Sequence, residues 1–158
     1  MTSRALIGRL LIIGPIGLIA AWFAWGLSIG NPDPGDHVAM LTAVSTNAGI
    51  TKWLLGISAF FMFLLVAGLT GLRNSMTGGS GSDYAAIGVL ILVMSAAFGL
   101  GEVALTITAA DLGAAGNPAT AMPIYLAGHG IGAISSAGIF LGLAAVGLGV
   151  IMQKNYNP

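Results

Sequence analysis

Apolar residues along the chain gather in four long runs, and nearly every charged residue falls in the gaps between them. The first run, Leu10 to Ile29, is broken among polar residues only by Ser28, with Arg4 and Arg9 before it and Asn31-Pro32-Asp33-Pro34-Gly35-Asp36 after it. A hydrocarbon core of about 30 Å is crossed by about 20 helical residues, so each run is long enough to span a membrane. The pattern predicts helices over about residues 5–30, 52–73, 84–111 and 121–152. A cleaved leader is the competing reading of the first run, but a leader's apolar core is about 7–15 residues and ends in small residues, whereas this one carries Trp22 and Trp25.

The gaps carry their own signals. Asp36 is placed to cap a shorter helix over about residues 36–47, with Val38, Leu41 and Val44 on one face and His37, Ser45 and Thr46 pointing elsewhere. This segment is expected to lie on the membrane surface, with Gly49 ending it and Thr51 capping the second crossing. Between the second and third runs, Gly78-Gly79-Ser80-Gly81-Ser82 reads as a flexible linker that buries nothing. With four crossings, Arg4, Arg9, Arg73 and Lys154 share one side and Lys52 lies on the other. That asymmetry predicts both termini in the cytoplasm, with Trp22, Trp25 and Trp53 as an aromatic belt at the outer interface.

Composition narrows the class. Of 158 residues, 56% are hydrophobic and 6% charged, against about a quarter charged in soluble domains. Five basic residues balance five acidic ones, which leaves no basic surface for nucleic acid. Cysteine is absent, so disulfides, thiolate metal sites and a cysteine nucleophile are excluded. The expected fold is all-α, an integral membrane four-helix bundle forming a single domain in the cytoplasmic (inner) membrane, its first partner the lipid bilayer.

Candidate chemistry sits in the third and fourth runs. Glu102 is the one carboxylate well inside an apolar segment, and an ionised acid near the bilayer centre costs on the order of 2.5–3.5 kcal/mol even on a lenient scale. Thr106, Gly99 and Ser95 share its helical face; on the fourth run Tyr125, His129, Gly132 and Ser136 share another. In an antiparallel pair these stripes align at equal depth as Glu102 with His129, Gly99 with Gly132, Ser95 with Ser136 and Thr106 with Tyr125. Close backbone approach at the two glycines and a meeting of Glu102 with His129 are the expected results. Two further small-residue faces follow, Gly138, Gly142, Ala145 and Gly149 on the fourth run, turned away from the His129 stripe, and Gly14, Gly17, Ala21 and Ala24 on the first, so that two helices can pack on the fourth. The Phe60, Phe61 and Phe63 cluster wraps the second helix and points it at lipid or another subunit.

The Glu102 and His129 pair reads either as a structural interhelical contact or as a site, since burial in hydrocarbon favours the neutral acid and lets the pair exchange a proton or hold a cationic or polar ligand. No catalytic motif is present, and no enzyme activity or cofactor is expected. The leading expectation is an accessory or structural subunit packed beside other membrane subunits or a second copy of itself; the alternative is a proton-linked small-molecule carrier. A third reading is a metal or haem subunit, with His37, Asp36 or Asp111 brought over from the outer loops to join Glu102 and His129.

Overall fold

The computed structural model describes residues 3–76 and 78–153, and these are helical almost throughout. Five helices follow in order: α1 Arg4–Ser28, α2 His37–Thr46, α3 Ala48–Asn74, α4 Ser80–Ala114 and α5 Pro118–Met152. All but α2 are long and apolar enough to cross a membrane. Among the described residues there is no strand.

Local chemistry accounts for the helix ends. Ser3 accepts from the backbone N–H of Leu6 to start α1, and the Asp36 carboxylate accepts from the N–H groups of Val38 and Ala39 to start α2. Asn47 is the sole residue between α2 and α3, with φ −110° and ψ 31°. Gly49 and Thr51 therefore lie inside α3 and terminate or cap nothing, because one turning residue suffices where a longer loop was expected. Gly78 and Gly79, at φ 63° and 83°, make the break before α4. The helix then begins at Ser80, four residues before the expected start, and Gly81 is buried against Gly149, so this stretch packs rather than serving as a free linker. At 35 residues each, α4 and α5 are about 52 Å long and outreach the hydrocarbon.

The helices pack as two antiparallel pairs, α1 with α3 and α4 with α5, joined along a seam between α3 and α4. The α4–α5 seam is the most extensive. Its buried positions on α5 include Ala121, Tyr125, Gly128, Gly132, Ser135, Gly142, Val146 and Gly149, mostly alternating steps of four and three, and Gly81, Ala85, Gly88, Leu92 and Ser95 do the same on α4. Such a repeat, averaging about 3.5 residues, keeps one seam facing its partner along the whole length. Gly142 and Gly149 therefore continue the same contact as Gly132, opposite Gly88 and Gly81, and are not a separate face. The first helix does not pack on the last. Gly14 and Gly17 admit Leu65 and Phe61 of α3, and Gly68 and Gly71 admit Leu11 and Ile7. Ala24 stays exposed. With α1 on one flank and α4 on the other, α3 has two helix neighbours, although Phe60 and Phe63 remain exposed.

At one end a core cluster unites all five helices: Trp25, Leu41 and Val44, Leu55, Ala109 and Ala110, and Ala121 with Tyr125. Val38 is 66% exposed, so the buried face of α2 is Leu41 and Val44, with Ser45 turned onto Gly113 of α4. Trp25 is buried and donates its indole N–H to Thr51 at 3.4 Å, which takes it out of the expected belt; Trp53 is 76% exposed. At this end Lys52 pairs with Asp111 at 2.6 Å, whereas Arg4, Arg9 and Arg73 sit at the other. Lys154 lies outside the described residues.

Candidate functional site

The two helix pairs meet through α3 and α4, which leaves a cleft between α1 and α5. An inner cavity of about 490 Å³ is lined from α1 by Leu18, Trp22 and Phe23, from α3 by Ser58 and Met62, and from the α4–α5 pair by Glu102, Ser135 and Ser136. An outer cavity of about 340 Å³, toward α2, is lined by Trp22, Trp25, Glu102, Thr106, Tyr125, His129 and Ser136, with Met40 of α2 among its walls. Glu102, Val103, Trp22 and Ser136 border both.

The chain brings Glu102 here by a specific steric provision. A Cβ at position 132 would overlap its carboxyl carbon and both oxygens, so the carboxyl group occupies space that only glycine leaves on α5. Among the described residues this carboxyl group has no hydrogen-bond or ion-pair partner. Glu102 and His129 therefore share the outer cavity without touching as an ion pair. His129 instead stacks on Tyr125, centroids 6.5 Å apart at 18°, and meets His37 edge-on at 5.1 Å and 63°. His37 reaches it because the Asp36 cap sets the start of α2 over α5, and His37 also stands 6.3 Å from Tyr125. Its Nδ1 is buried and unpartnered.

The remaining seam residues divide. Thr106 and Tyr125 are buried beside the outer cavity, as an alignment of the two stripes requires. Gly99 faces the hydroxyl of Ser135, not Gly132, and Ser135 donates to the carbonyl of Ser95 at 2.8 Å. The depth alignment pairs Ser95 with Ser136, one residue on, which is instead exposed to the cleft. Ser95 turns its own hydroxyl back to the carbonyl of Ile91 at 2.8 Å.

Of the outer residues considered as ligands, only His37 joins His129. Asp36 is an exposed helix cap and Asp111 is held by Lys52. Among the described residues no three His, Asp or Glu side chains gather as a metal-ligand set. The two imidazoles touch edge to face, which leaves no room for a porphyrin between them.

These features define a four-span helical membrane bundle with a carboxylate-bearing cleft. Compared with known proteins, the chain matches no protein family, no curated protein and no solved structure.

Proposed function

We propose that the protein is a small multi-pass carrier of the cytoplasmic membrane that exchanges protons and a small solute at Glu102. The observation that carries this reading is the carboxyl group of Glu102 bordering both cavities, cradled by Gly132 and unpaired among the described residues. A carboxylate in hydrocarbon is retained at substantial cost, and one that fastens helices would be spent on a partner. Here the helices are fastened elsewhere, by the glycine seam and the Ser135 to Ser95 bond. For that reason the carrier reading stands above that of an accessory subunit, and no catalytic residue enters it. His129, Tyr125 and Thr106 line the outer approach to the acid, and His37 contributes to its rim.

The orientation follows from charge, with the end bearing Arg4, Arg9 and Arg73 in the cytoplasm and α2 at the outer interface. Purified protein in liposomes holding a pH-sensitive dye should take up protons down an imposed gradient, and Glu102→Gln should abolish the uptake. Equal uptake by the variant, or recovery only as a stoichiometric complex that is inert when separated, would return the protein to a scaffold role.

A further inference from the structure

We propose that the cleft takes a monovalent organic cation with an aromatic or bulky apolar body, such as an aryl-substituted ammonium or phosphonium; this rests on the carrier reading above and names its substrate class.

Charge comes first. Glu102 is the one titratable side chain among those lining the inner cavity, and no lysine or arginine lines either cavity. The basic side chains of the described residues stand toward the ends of the helices, and Lys52 is occupied by Asp111. In the outer cavity Tyr125 and His129 are the other titratable side chains, with His37 against His129, so the carboxylate is the one acidic group of both cavities and one positive charge neutralises it.

The walls then choose among cations. A small inorganic ion needs several oxygen ligands to replace its water. The inner cavity offers few, since the hydroxyls of Ser58 and Ser135 are turned onto the carbonyls of Leu55 and Ser95 at 2.7 and 2.8 Å. What it offers in quantity is apolar and aromatic surface, from Leu18, Phe23, Met62 and Ile139. Trp22, like Glu102, borders both cavities and stands edge-on to Trp25, with centroids 5.4 Å apart at 86°. An indole and a carboxylate lining the same space suit a diffuse cation, which gains from the ring face and from ion pairing together.

Size and access agree. Volumes of about 490 and 340 Å³ sharing one wall fall in the range that holds small organic ligands. The α1 side of the cleft carries Phe23 and Ile19, each 69% exposed, so an amphipathic cation dissolved in the bilayer reaches Glu102 without crossing water. A proton and the cation compete for the same carboxylate, which couples their movements in opposite directions.

The test uses radiolabelled tetraphenylphosphonium and the full-length protein in mild detergent, by equilibrium dialysis at pH 8 and pH 5, alongside the proton-uptake assay. Saturable binding near one probe per chain is expected, weaker at pH 5. Glu102→Gln should weaken it about tenfold or more and Trp22→Ala about three- to tenfold, with Glu102→Asp retaining part of it. Helical circular dichroism and a single gel-filtration peak establish that each variant folds. Probe taken up equally by wild type and Glu102→Gln is partition into the micelle and overturns the proposal. Proton uptake that depends on Glu102 without probe binding overturns the organic cation and leaves the carrier standing. Binding that depends on Glu102 without any flux removes the carrier and keeps the site, and failure of both assays removes both.

Discussion

The carboxyl group of Glu102 on α4 rests in the space left by the missing side chain of Gly132 on α5. The same glycine that lets two helices approach thus also positions the one acid well inside an apolar run. A consequence can be measured at each partner separately.

Gly132→Ala should displace the carboxyl group while sparing the fold. The end of a glutamate swings aside for about 1 kcal/mol or less, so thermal stability in detergent should change little. The carbonyl band of Glu102, isolated by isotope-edited infrared spectroscopy, should shift, and proton uptake should fall. An unchanged band would mean that Gly132 does not set the position of the acid.

Further along the seam the neighbour is backbone, which cannot swing. A Cβ at Gly88 would lie 2.7 Å from the carbonyl oxygen of Gly142, and one at Gly149 would lie 2.6 Å from that of Gly81. Gly88→Val and Gly149→Val should each cost about 1–3 kcal/mol, read by denaturant titration in mixed micelles. Gly147, with open space where its Cβ would be, supplies the control, and Gly147→Ala should be nearly neutral.

The contrast between the period of an ideal helix and that of a supercoiled seam explains how much of this could be read from the chain. The four spans were legible because hydrocarbon demands long apolar runs, and the alignment of α4 with α5 was legible because small residues recur on both. The error lay in the period. Gly138, Gly142 and Gly149 drift off the His129 face on an ideal helix of about 3.6 residues per turn, but supercoiling at about 3.5 carries them back onto α4. Ser135 displaced Ser136 for the same reason. The meeting of His37 with His129 depends on how a loop returns, which no local pattern encodes, and so does the burial of Trp25. The acid itself was conspicuous because charge is rare here; its partner was misjudged, since proximity in depth does not fix which way two side chains turn.

Trp25 and Thr51 tie α1 to α3 by a buried hydrogen bond of 3.4 Å. A double-mutant cycle with Trp25→Phe and Thr51→Val should yield a coupling of about 0.6 kcal/mol, the usual value for polar contacts between spans. Additive losses would show the bond to be energetically silent.

Lys52 and Asp111 pair across α3 and α4 with side chains 46% and 47% exposed. Replacing either with a neutral isostere should cost about 0–1 kcal/mol, and the difference should shrink in high salt. A large cost that persists in salt would place the pair in a drier setting.

Because the chain lacks cysteine, single cysteines introduced at the exposed Thr42 and Ser80 report sidedness directly. An impermeant maleimide applied to intact cells should label the first and spare the second. The reverse pattern would invert the assigned orientation.

Joining the two helix pairs along α3 and α4, with α2 and the five-helix cluster clasping one end, gives the assembly the build of a book bound at its spine and pinned at one edge. No seam between α1 and α5 sets the gap between the covers, so what enters is held by two separate faces. Selectivity in such a design falls on the electrical character of the guest, and its shape is only loosely policed.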